Sequence, residues 1–175
     1  MIALPHTGIR VPTTTVHVLA VHQTGQGCDA LQIAPVHEGR TLLGYAVNTG
    51  GDTRFVAVDR RGAFMVWSFI EQTKIFTDPA LSDADVLDHL IAEHDWSRAA
   101  REAHTKRCYL VRILNSDRLP QSAELVDLAV PYPDFEAAAR VLRTQPLPEG
   151  AVRMELWTGT MWEVVHDRPT TREGG

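Results

Sequence analysis

Apolar residues in this chain fall in short runs separated by glycine, proline and charged residues. The densest group lies at 40–71, where runs at 42–47, 55–58 and 64–70 are joined by Thr49, Gly50, Gly51 and Asp52 and then by Arg61 and Gly62. Short runs rich in Val, Phe, Tyr and Trp between glycine turns predict a β-meander. With Arg61 and Gly62 as a two-residue hairpin loop, Val58 would oppose Met65 and Val56 would oppose Trp67. Phe55, Ala57, Phe64 and Val66 would take the other face. Both faces are then apolar, so both are expected to be covered.

Upstream, Thr13, Thr14, Thr15, Val16, Val18 and Val21 make 13–22 rich in β-branched residues and predict a strand. Residues 23–29 read as a loop. Residues 30–36 fit either a short strand or one helical turn, and Pro35 bars a long helix. Downstream, Ser82 and Asp85 have capping-box spacing, and Val86, Leu87, Leu90 and Ile91 form an apolar stripe at helical spacing. His94 and Asp95 suggest a break, with a second helix over 96–106 burying Trp96, Ala99, Ala100 and Ala103. Strands are expected at 108–114 and 124–130. Asp134 caps a helix reaching about 143, and 152–157 and 160–165 form a hairpin around Thr158 and Gly159.

Strands in a cluster, followed by helices, indicate an α+β fold. The expected architecture is a mainly antiparallel sheet built on the central β-meander at 40–71. Two consecutive helices at 82–106 and a C-terminal ββαββ unit complete it. The domain reading is 1–106 for the meander with its helices and 107–167 for the ββαββ unit, packed as one globule, with a flexible tail at 168–175.

Composition narrows the classes. The chain has 175 residues, 44% hydrophobic and 22% charged, an ordinary globular balance. Its formal net charge of -5 works against non-specific nucleic-acid binding. Arginine supplies all the basic side chains except Lys74 and Lys106, a bias that GC-rich coding explains without an arginine-based function. Cys28 and Cys108 stand far apart, which is not a disulfide framework or a cysteine-built zinc site. The opening residues lack a basic segment followed by a sustained apolar one, so no signal peptide is expected. No apolar run approaches the ~20 residues that span a bilayer, and a cytoplasmic location without membrane contact is the expectation.

Several constellations bear on chemistry. Gly25, Gly27 and Ala30 match a dinucleotide-binding glycine pattern, but Pro35 limits the helix that such a loop requires, so no cofactor is expected. His22, Cys28 and Asp29 are the catalytic candidates, a thiol with a possible base and an acid nearby. Asp85, His89 and Glu93 repeat at i, i+4 and i+8, as helical metal ligands do. They lie opposite the apolar stripe, where a solvated charged face is the simpler account. His17, His22 and His37 fall in or near strands, with His17 and His22 on opposite sides unless the strand is bulged. Among the aromatic residues, Tyr45, Phe55, Trp67, Trp157 and Trp162 lie on predicted strands. Arg54, Arg60, Arg61, Arg112 and Arg153 are the candidates for a phosphate-tracking face. Trp157 and Trp162 share one face of the terminal hairpin beside Glu155 and Val164, and are the interaction candidates.

The function expected from these residues is a non-catalytic accessory protein that presents a surface to another protein or to itself. One alternative is a small enzyme or ligand-binding domain with a pocket beside the 23–29 loop. Another is a nucleic-acid-associated regulator, which the acidic balance disfavours.

Overall fold

The computed structural model describes residues 1–25, 31–115 and 120–168. The chain divides into two compact units, Met1–Ser97 and Arg98–Gly175. It is a mixed α+β protein with antiparallel sheets.

In the first unit, β1 (Ile2–Ala3) and β2 (Arg10–Val11) form a small ribbon. The main sheet holds β3 (Val16–Val18), β4 (His22–Thr24), β5 (Leu31–Glu38), β6 (Thr41–Asn48) and β7 (Arg54–Ala57). Its order is β3-β5-β6-β7, with β4 also paired to β5. Two helices follow, α1 (Arg60–Phe76) and α2 (Asp83–Lys106), and α2 continues across the division between the units.

Strand alternation decides what the sheet buries. Val16, Val18, Ala34, Val36 and Ala46 point to one face and are buried. They share a core with Val66, Phe69 and Ile70 of α1 and with Val86, Leu87, Leu90 and Ile91 of α2. On the other face His17, Ile33, Pro35 and His37 are partly exposed, and Tyr45 and Val56 are exposed. The helices therefore cover one side of this sheet, and the expectation of cover on both sides is corrected.

The run at 64–70 is the middle of α1 and not the third strand of a meander. Asp59 is extended and its Oδ1 accepts from Gly62 N at 2.7 Å, so what reads as a hairpin loop is a capped helix start. Val66, Phe69, Ile70 and Thr73 then recur at helical spacing, and all four are buried. Pairing of Val58 with Met65 and of Val56 with Trp67 does not occur. Val56 instead lies opposite Tyr45 of β6. The turn after β6 is as expected, with Asn48 Oδ1 accepting from Gly50 N at 2.8 Å.

Residues 31–38 are strand, which removes the helical-turn alternative. Pro35 sits in the interior of that sheet, although it has no N–H to donate. The neighbouring edge accommodates it. Val18 pairs with Val36 and His22 pairs with Ile33, so the edge carries one residue more than β5 between those two rungs. Leu19 N reaches Pro35 O at 3.4 Å across this widened stretch. The nitrogen of Pro35 points to the same side as its carbonyl, toward the place where the ladder is interrupted.

The predicted capping box opens α2: Ser82 N donates to Asp85 Oδ2 at 2.7 Å, and Asp85 N donates to Ser82 Oγ at 3.1 Å. The break at His94 and Asp95 is absent, and the two expected helices are one. Neither residue is a proline or glycine, and their propensity cost is a fraction of a kcal/mol each, roughly 0.7 at most. The helix ends where Arg107 adopts a φ of 55° and Cys108 N donates back to Ala103 O at 3.0 Å.

The second unit is the predicted ββαββ arrangement. It comprises β8 (Tyr109–Leu114), β9 (Pro120–Val126), α3 (Phe135–Arg143), β10 (Arg153–Trp157) and β11 (Trp162–Asp167). Its antiparallel sheet has the order β11-β10-β8-β9. β9 lies earlier in the chain than the 124–130 expected for it. Asp134 caps α3 by accepting from Ala137 N at 2.9 Å. Ala138, Ala139 and Leu142 pack with Tyr109, Val111, Met154, Leu156 and Val165. The phenol of Tyr109 donates to Pro131 O at 2.8 Å and accepts from Asp134 N at 3.2 Å, tying the loop before α3 to the sheet. The last hairpin turns at 158–161, with Thr158 N bonded to Met161 O at 3.0 Å and Gly159 at a φ of 94°. The tail at 169–175 lies outside the described residues.

Candidate functional site

Among the catalytic candidates, His22 is exposed on β4 opposite Ile33. Cys28 and Asp29 lie outside the described residues. The glycine pattern beginning at Gly25 leads into β5, a strand antiparallel to β4, where a dinucleotide site needs a helix N-terminus.

Asp85, His89 and Glu93 do line one side of α2, yet each is engaged in a different task. Asp85 closes the capping box, and the hydrogen bonds from the Ser82 hydroxyl and backbone hold its carboxyl below the usual carboxylate range. His89 Nδ1 lies 2.6 Å from Asp85 O, one turn back. Glu93 accepts from Thr7 N at 2.8 Å and from His6 N at 3.1 Å, fastening the segment between β1 and β2 to α2. His94 Nδ1 lies 3.1 Å from Val18 O, so this side chain reaches the backbone of β3. Among the described residues, no group of three or more His, Cys, Asp or Glu side chains is placed to hold a metal ion.

The sheet of the first unit brings two histidines together. His17 and His37 are opposite one another on β3 and β5, with ring centroids 6.3 Å apart on the exposed face. His22 joins the same face because of the extra edge residue opposite Pro35. Regular alternation would have placed it on the other side.

Trp157 and Trp162 oppose each other in the terminal hairpin, with ring centroids 5.3 Å apart. Both are half-buried, and the Arg112 guanidinium lies 4.1 Å from the Trp162 ring centre. Arg112 Nε donates to Glu155 Oε2 at 2.6 Å, and Arg153 Nε stands 3.5 Å from the other oxygen of Glu155. Aromatic rings and ion pairs thus converge in one cluster on this sheet. Two of the five arginines proposed for a phosphate-tracking face, Arg112 and Arg153, are thus committed to Glu155.

The largest exposed aromatic surface is on α1, where sequence reading placed a buried strand. Phe64, Trp67 and Ile75 are 64%, 57% and 70% exposed, and the Phe64 and Trp67 rings are 6.1 Å apart. At ~100° per residue these three fall within one face of the helix, opposite Gly62, Val66, Phe69, Ile70 and Thr73. Arg60, Ser68 and Glu71 share that outer face. Val56 and Val58, both more than half exposed, precede the N-terminal end of the helix. Helix α1 therefore carries two apolar stripes, one packed against the sheet and one facing solvent. No family model, curated protein or solved structure matches this chain. The functional reading consequently rests on this surface and on general physical chemistry.

Trp67 stood among the candidate aromatics, but Phe64 and Ile75 did not stand out in sequence. Their signal was present as the spacing of i, i+3 and i+11, and it becomes visible once 60–76 is read as helix. No helix among the described residues is long and apolar enough to cross a membrane, so this stripe is not part of a spanning helix.

Proposed function

We propose that this protein is an accessory protein that works by presenting the outer face of α1 to another polypeptide. The exposed pair of Phe64 and Trp67 carries this reading. Large aromatic side chains supply most of the burial energy at protein interfaces, and tryptophan is prominent among interface hot spots. Leaving both rings in water on a helix whose other face is fully packed is an expense that binding recovers. At ~25 cal/mol per Å², covering such rings contributes kcal/mol-scale stabilisation to a complex. The charged residues that flank them, Arg60 and Glu71, fit the polar rim of such a contact.

The test is a capture experiment with immobilised protein. Wild type should retain a polypeptide partner that the Phe64→Ser/Trp67→Ser variant does not retain. Circular dichroism must show both proteins equally folded, as expected for exposed positions. Equal capture by both, or capture by neither from a protein that also does not associate with itself, would reject this face as the working surface.

A further inference from the structure

We propose that the polypeptide bound by the outer face of α1 is a second copy of this chain, packed with its own α1 antiparallel to the first. This rests on the reading of that face as the contact surface and adds the identity and register of the partner.

Charge placement points to it. The dipole of α1 favours acidic residues in its first turn, yet that turn contains none and begins with Arg60 and Arg61. Arg61 stands 3.9 Å from Glu38, whereas Arg60 makes no ion pair among the described residues. Glu71, on the same outer face about three turns further along, engages Lys74 at 3.0 Å through one oxygen. A carboxylate has room for further donors, so Glu71 can accept a guanidinium as well. The outer face is thus positive at its start and acidic toward its end, with two aromatic rings between.

Only an antiparallel partner matches this polarity, and one register satisfies every position. Setting Phe64 against Trp67 of the partner subunit also sets Arg60 against Glu71 of the partner subunit. The two-fold axis repeats each contact, so four aromatic rings meet at the centre and two ion pairs flank them. Ile75 of the partner subunit then extends past Arg60 toward the exposed Val58. The pattern of apolar, basic and acidic positions is self-complementary about a point between Met65 and Val66. Helix packing at the usual interaxial distance of ~8–10 Å brings such rows into contact.

Size sets the strength. A helix of 17 residues is ~25 Å long, and one face of it offers less than the ~800 Å² per partner of a standard stable interface. The dimer is therefore weak and forms by mass action in the range of ~10–100 µM.

Sedimentation velocity of the full chain over about 1–300 µM tests this directly. Wild type should move from monomer to dimer as concentration rises. Arg60→Glu and Glu71→Arg, each alone, should remain monomeric, because each sets like charges opposite one another twice. An equimolar mixture of the two variants should dimerise at least as well as wild type, since both facing pairs become complementary again. Circular dichroism of each variant confirms that α1 is intact. Monomeric wild type throughout the range, or a mixture that stays monomeric, overturns the proposal. If wild type is monomeric but the capture experiment shows a partner that Phe64→Ser/Trp67→Ser loses, the second-copy assignment falls and the contact-surface reading stands. If neither association nor capture occurs, both fall.

Discussion

A missing methyl group sets how closely α1 lies on β6. A Cβ built on Gly62 would stand 2.3 Å from Leu43 O, a main-chain atom that cannot swing aside. Helix propensity alone favours Ala over Gly by ~1 kcal/mol. The contact reverses the sign: Gly62→Ala should destabilise the protein by roughly 1–3 kcal/mol, the range for inserting a methyl into a packed site. The urea midpoint measures it, and a rise in midpoint would contradict the close approach. Glycine here looked like turn punctuation, because a sequence displays the missing side chain and not the strand that needs its space. Glu93 offers the same lesson. Its place on the polar side of a helix was legible, but its bonds to His6 and Thr7 join residues too far apart in the chain for any local pattern to connect.

Among elements, α1 is the one whose core the sequence reading assigned as a strand. The run at 64–70 is apolar at every position except Ser68, so it satisfies period 2 and period 3.6 together. Local signals discriminate only when polar residues interrupt the run. The deciding features are Asp59 at the start and the continued burial of Thr73 beyond the run, which make a 17-residue helix. Asp59→Ala should therefore cost about 1 kcal/mol in urea or thermal unfolding, and Asp59→Asn much less, because asparagine caps equally well. A meander strand would predict no difference between the two. Where caps and stripes coincide, as at Ser82 for α2 and Asp134 for α3, the element is legible from local residues. In α2 the capping box also makes a pH contribution. With the Asp85 carboxyl held below its usual range, its share of stability is present above the unfolded carboxylate value of ~3.9 and is lost as pH falls through the lower folded value.

On the scale of the whole molecule, the alkaline limit of stability should be set partly by Tyr109. Burial pushes its phenol above the ordinary value, so the folded state keeps a proton that the unfolded chain releases. The contribution is complete below the unfolded value of ~10 and declines as pH rises beyond it. Tyr109→Phe should lower stability near neutrality by about 1–2 kcal/mol through its lost hydrogen bonds. It should also flatten the fall between about pH 9 and pH 11, by no more than ~1.4 kcal/mol per pH unit. Urea denaturation across that range reads both effects, and an unchanged alkaline slope would show that Tyr109 is not the group responsible. The sequence by itself determined the α+β class, the capped starts of α2 and α3, the ββαββ order of the second unit and the turn at 49–52. All of these depend on neighbours a few residues apart. The tertiary structure alone decided that 60–76 is helix, that one face of the first sheet is covered while the other meets solvent, and that Pro35 lies opposite a widened edge. It also decided that Phe64 and Trp67 are exposed. An apolar run records that burial is available, but which side is buried depends on what packs there, and that comes from residues distant in the chain.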